Sequence, residues 1–125
     1  MYLMGKFYIY NTGLCTVFPF LYCDPEYKTT WLDYVPLGWR EKFLEMCEAL
    51  IPWRRNFEIL QIKEKYGQLR VYIWTDEEVD EFGKIYDQVQ KVIDSFCKET
   101  AHICMRCGST LEVKDCLCKT CRKWG

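Results

Sequence analysis

Apolar residues recur at two different periods along this chain, and the periods divide it into elements. In GWREKFLEMCEALI (38–51), Trp39, Phe43, Met46, Cys47 and Leu50 fall three or four residues apart. That spacing places side chains on one face of an α-helix. Pro52 follows and cannot continue the helix. A second helix is predicted over 76–100, where Val79, Phe82, Tyr86, Val89, Ile93 and Phe96 form one stripe. Thr75 and Glu78 fit a capping box at its start, and Asp76, Glu77 and Asp80 suit the positive end of a helix. An aromatic stripe of this kind reads as core.

Between the helices the period changes to two. FEILQIKEKYGQLRVYIW (57–74) predicts a β-hairpin turning at Tyr66-Gly67. An even-numbered loop sets Ile62 against Val71 and Leu60 against Ile73 on an apolar side that covers the helices. The other side then shows Lys63 opposite Arg70, Gln61 opposite Tyr72 and Ile59 opposite Trp74. Like charges facing each other across strands cost stability. Two readings of this face stand side by side. It is a solvated polar surface, or it is a recognition surface in which Lys63 and Arg70 hold a phosphate or carboxylate while Tyr72 and Trp74 stack on an apolar group or base.

Upstream, KFYIYNTGLCTVFPF (6–20) predicts two strands around Asn11-Thr12-Gly13, and 21–37, with Pro25 and Pro36, reads as loop. The whole is an α+β body over 1–101, with a small antiparallel sheet packed on two helices, followed by a lobe over 102–125.

Composition limits what such a chain does. Its 125 residues are 50% hydrophobic and 17% aromatic, enough for one compact domain. A net charge of −1 argues against holding DNA by bulk positive charge. No apolar run approaches the ~20 residues that span a bilayer, and MYLMGKFYIYNTG lacks the clean apolar block of a signal peptide. The expected setting is a reducing cytoplasm, where nine cysteines do not pair as disulfides.

The lobe HICMRCGSTLEVKDCLCKTC (102–121) then reads as one structural Zn²⁺ site, with Cys104, Cys107, Cys118 and Cys121 as ligands. Gly108 permits the tight turn after the first knuckle. Cys116 is the spare thiol, able to replace Cys118 through a longer chelate. His102 is read as a surface or packing residue, and Cys15, Cys23, Cys47 and Cys97 as free thiols. A closed four-cysteine site supplies folding energy and leaves no open position for a substrate water. The lobe carries five basic and two acidic side chains. Four thiolates and one Zn²⁺ reduce that net charge of +3 to about +1, so nucleic-acid binding is not indicated. Nor does the chain hold GxSxG, a Walker loop, Rossmann glycines or HExxH, and it has one histidine.

Three stretches, LDYVPLGWREKF (32–43), ILQIKEKYGQLRVY (59–72) and CMRCG…CKTC (104–121), together resemble a family of small proteins from bacteria, phages and prophages. The resemblance spans Asp33 to Cys121 and implies a mobile-element setting and a zinc-stabilised lobe; it carries over no catalytic residue. The expectation is a non-enzymatic binding protein of a phage or mobile element. It would act on host machinery, such as a defence system, through a host protein or a nucleotide ligand. The alternative is a zinc-ribbon nucleic-acid-binding or regulatory module.

Overall fold

The computed structural model describes residues 14–24 and 29–124. The fold is α+β: a small antiparallel hairpin packs with two helices, and a cysteine-rich lobe follows. Helix α1 (Leu14–Val17) leads through a 3-10 turn (Pro19–Leu21) into the short pair β1 (Tyr22–Asp24) and β2 (Thr29–Thr30). The expected strand over 14–20 is therefore helical instead. Adjacent Phe20 and Leu21 are both buried along with Phe18, which alternation cannot achieve, and Pro19 sits at the first position of a helical turn. The partner strand and its turn at 11–13 lie outside the described residues. The segment read as loop carries β1, β2 and two further 3-10 turns. The first of these, Trp31–Tyr34, is closed by a capping box in which Thr30 and Asp33 bond each other's backbone reciprocally.

Helix α2 (Arg40–Ala49) follows the 3-10 turn Leu37–Trp39 and ends before Pro52, as the periodicity requires. Trp39, Phe43, Met46, Cys47 and Leu50 are all at most 1% exposed and form the centre of the core.

The hairpin pairs β3 (Glu58–Lys65) with β4 (Gln68–Trp74). Its loop has the two expected residues, Tyr66 and Gly67, both at positive φ (54° and 78°), as a tight primed turn demands. Ile62 faces Val71, Gln61 faces Tyr72 and Lys63 faces Arg70, matching the sequence register. Beyond Gln61 that register fails. A bulge leaves Leu60 58% exposed, while Ile59 pairs with Ile73 and is 6% exposed. One extra residue in β3 flips the faces from there on, so Ile59 and not Leu60 joins the core, and Glu58 stands opposite Trp74.

Helix α3 (Lys84–Thr100) begins eight residues later than the stripe predicted. Asp80 sets the start. Its carboxylate accepts from the backbone N–H of Ile85 (2.7 Å) and Tyr86 (2.9 Å) and from the Thr75 hydroxyl (3.0 Å). Thr75 and Glu78 thus form no capping box. Phe82 and Gly83 both adopt left-handed φ (67° and 68°) between Asp80 and the helix. Val79 and Phe82 consequently leave the core at 64% and 92% exposure, whereas Val89 and Ile93 stay fully buried. The working stripe is Ile85, Val89, Ile93, Cys97 and Thr100. At its end the Thr100 hydroxyl accepts from the Leu69 N–H (2.9 Å), tying α3 to the outer edge of β4.

Candidate metal centre

The lobe brings four cysteines together from two knuckles. The sulfurs of Cys104, Cys107, Cys118 and Cys121 all lie within 4.8 Å of one another, and Cys107 Sγ is 3.6 Å from Cys118 Sγ. Tetrahedral Zn–S bonds of about 2.3 Å require sulfurs about 3.8 Å apart, so the donor set fits one structural zinc and no disulfide joins these residues. Cys104, Cys118 and Cys121 are buried and Cys107 is exposed.

Local backbone geometry builds this arrangement. The Gly108 N–H returns to the Cys104 carbonyl (2.9 Å) with Gly108 at φ 84°, closing the first knuckle. Helix α4 (Lys119–Trp124) closes the second, and the Cys121 N–H points at Cys118 Sγ (3.5 Å). Arg122, in the position glycine holds in the first knuckle, donates to the carbonyls of Glu112 (2.7 Å) and Leu117 (2.9 Å) and so pins the intervening loop.

The sulfurs sit in opposed electrostatic environments. Burial opposes ionisation of Cys104, but the N–H groups of Cys107, Cys118 and Arg106 outweigh it and hold the thiol down at about 6. The Cys121 N–H, against burial, likewise lowers Cys118. Burial and the neighbouring sulfurs push Cys121 up to about 12. Cys107 gains from the Ser109 N–H, yet the sulfurs of Cys118 and Cys104 raise it on balance. Four thiols compete for a small set of donors, and a dication removes that competition by taking all four as thiolates.

Cys116 stands outside the cluster. Its sulfur lies 3.0 Å from Met105 Sδ, and its carbonyl accepts from the Met105 N–H (2.8 Å). Cys118 therefore occupies the position that spacing left open between the two. His102 is exposed. Cys47 and Cys97 are buried free thiols, and Cys15 is half-buried against the core; the Cys23 side chain lies outside the described residues.

The lobe is keyed onto the body at Gly38-Trp39. The Gly38 N–H donates to the Met105 carbonyl (2.8 Å) and the Trp39 indole to the Ile103 carbonyl (2.7 Å). The knuckle backbone presses so closely on Gly38 that a Cβ there would lie 2.6 Å from the Met105 carbonyl carbon and 2.7 Å from the Gly108 nitrogen. This explains physically why glycine precedes the tryptophan, a role the sequence pattern alone did not disclose.

The four residues read as a recognition face lie on the side of the hairpin away from the core, Lys63 paired with Arg70 and Arg70, Tyr72 and Trp74 alternating along β4. Lys63 is held over the Tyr72 ring (5.4 Å to its centroid). Arg70 and Tyr72 line a groove against α3, while Trp74, 46% exposed, lines an adjoining hollow with Phe82 and Tyr86, the last bordering both. The stripe pattern concealed that second surface, since it assigned Val79, Phe82 and Tyr86 to the core. The available signal was Gly83 directly after Phe82, which interrupts a helix just where Asp80 can cap its continuation.

No protein-family model, no curated protein and no solved structure gives a significant match to the chain. No helix among the described residues is long and apolar enough to cross a membrane.

Proposed function

We propose that this chain is a non-enzymatic, zinc-stabilised binding protein of a phage or mobile element. In this reading it acts on host machinery, such as a defence system, by engaging a host protein in the cytoplasm. The mobile-element setting rests on the resemblance of the three motifs. A metal centre with four cysteine ligands leaves no coordination position for substrate, which supports a structural rather than a chemical role.

The observation that carries the binding role is the exposed aromatic surface at the start of α3. Phe82, 92% exposed, lines a hollow of about 510 Å³ with Trp74 and Tyr86, and Val79, 64% exposed, lies on the other side of Trp74. Phe82 is also held at positive φ, which costs a bulky residue backbone energy that its own packing does not return. Large aromatic side chains gathered in this way mark protein interaction surfaces. In the sequence Asp76, Glu77, Glu78, Glu81 and Asp87 flank these residues against Lys84, with Arg55 on the Trp74–Val79 side, so a partner with basic side chains around an apolar anchor fits better than nucleic acid.

The test is paired capture from host lysate with wild type and with the double variant Phe82→Ser/Trp74→Ser, alongside thermal melting. This reading expects a protein retained by wild type and lost by the variant, with melting nearly unchanged. Identical capture by both would overturn it.

A further inference from the structure

A groove of about 390 Å³ runs between the outer edge of β4 and helix α3, a size in the range of small-ligand sites. Arg70 and Tyr72 form one wall; Tyr86, Gln90, Asp94 and Lys98 form the other. Among the described residues no carboxylate lies within ion-pair distance of Arg70, and its Nε–H is shielded from water with no acceptor. A buried donor without a partner is costly, and native proteins seldom leave one without a reason. The acid best placed to satisfy it, Asp94, instead accepts from Gln90 Nε2 (2.9 Å).

Other donors converge on the same space. The Leu69 N–H points away from β3 to Thr100. By the alternation of an antiparallel ladder, Val71 turns its N–H to the same outer edge. Lys98 adds a second cation on the helix side. Tyr72 and Tyr86, each 40% exposed, flank the groove with aromatic surface.

We propose that this groove binds a phosphate monoester carried on a flat ring, of the aryl phosphate or nucleoside monophosphate class. Arg70, Lys98 and the Val71 N–H offer more donors than two coplanar carboxylate oxygens can use, and they match three phosphoryl oxygens. Because Arg70 as a whole is only partly buried, its guanidinium can swing toward the mouth, where Nε–H gains its acceptor. The ring lies between Tyr72 and Tyr86, where stacking tolerates different bases or aryl groups. Asp94 is the one carboxylate in the groove and opposes the anion.

The experiment is a ¹⁵N-resolved NMR titration of the full-length zinc-loaded protein. The probes are phenyl phosphate and adenosine 5′-monophosphate, with inorganic phosphate and adenosine as half-probes. Saturable shifts at Arg70, Val71, Tyr86 and Lys98 are expected with one or both esters, and weaker ones with either half-probe. Arg70→Gln should weaken binding about tenfold or more, the loss of one charge-assisted hydrogen bond. Lys98→Gln should weaken it too, and Asp94→Asn should tighten it. The two exposed helix positions keep the test decisive even if Arg70→Gln fails to fold. Phe82→Ser should leave ester binding intact, separating this site from the protein-docking surface. Three outcomes would each overturn the proposal: neither ester saturates at millimolar concentration, adenosine binds as well as its monophosphate, or Asp94→Asn weakens binding and lowers the melting temperature. The last would show that Arg70 and Asp94 serve one another.

Discussion

Adding a single methyl group at Gly38 tests the joint between lobe and body. The Cβ of Gly38→Ala would fall inside van der Waals contact of the Cys104 carbonyl oxygen, 2.6 Å from the Met105 carbonyl carbon and 2.7 Å from the Gly108 nitrogen. All three are backbone atoms of the zinc knuckle, so no rotamer change can make room; the lobe must move off the body. Moving it strains two hydrogen bonds, Gly38 N–H to Met105 (2.8 Å) and Trp39 Nε1–H to Ile103 (2.7 Å). Overpacking costs about 1–3 kcal/mol and the two bonds, strained rather than lost, about 0.5 kcal/mol each, so a loss of about 2–4 kcal/mol is expected. The competing effect has the opposite sign. Where nothing clashes, Gly→Ala stabilises by about 0.4–1 kcal/mol through the unfolded chain. Urea unfolding followed by tryptophan fluorescence distinguishes the two, and thermal melting should fall by roughly 8–16 °C for a chain of this size. Competition with a chromophoric chelator should show weaker zinc retention in the same variant. A Gly38→Ala protein as stable as wild type, or more so, would refute the docking.

Three further expectations follow from individual sites. Ile59→Ala should cost about 2–4 kcal/mol and Leu60→Ala about 0.5 kcal/mol in urea unfolding, because the bulge exchanges their faces; the reverse order would restore the unbulged register. Asp80→Ala should lower the melting temperature at neutral pH. Burial raises its carboxyl, but the N–H groups of Ile85 and Tyr86 and the Thr75 hydroxyl together outweigh it and hold the folded group below the usual range. Its stabilisation is therefore fully present above the unfolded carboxylate pKa of about 3.9, and the gap to wild type should close as pH falls through the still lower folded value. With burial raising Cys47 and pushing Cys97 up to about 12, iodoacetamide should label neither in the native zinc-loaded protein and both after unfolding, as read by mass spectrometry.

Much of this architecture is legible in the sequence because it is encoded locally. The Trp39–Leu50 spacing, the Tyr66-Gly67 turn and the double CxxC each specify their geometry within a few residues. The errors share a different cause. The stripe from Val79 to Phe96 is continuous by period, yet Asp80 can satisfy helix N–H groups only if the helix starts after it, and Gly83 supplies the left-handed step. Capping chemistry overrode the apolar period. The bulge at Leu60 has no local signal, since leucine and isoleucine serve either face equally well; packing of Ile59 against the core decides it. At the metal centre, spacing named the knuckles, but the choice of Cys118 over Cys116 depends on the backbone turn that sends Cys116 toward Met105. The hollows beside the hairpin face were not legible, because they required two strands and a helix to be placed together. Lys63, Arg70, Tyr72 and Trp74 share a strand face as the pattern requires, and α3 sets a groove beside Arg70 and Tyr72 and an adjoining aromatic hollow beside Trp74.

The central claim is that the four-cysteine centre is a closed, structural zinc site. Zinc K-edge X-ray absorption of the purified protein tests it most directly. The account predicts one zinc per chain surrounded by four sulfur scatterers at about 2.3 Å, with the same spectrum in a Cys116→Ser variant. A nitrogen or oxygen scatterer in the first shell, or loss of the metal from Cys116→Ser, would contradict it.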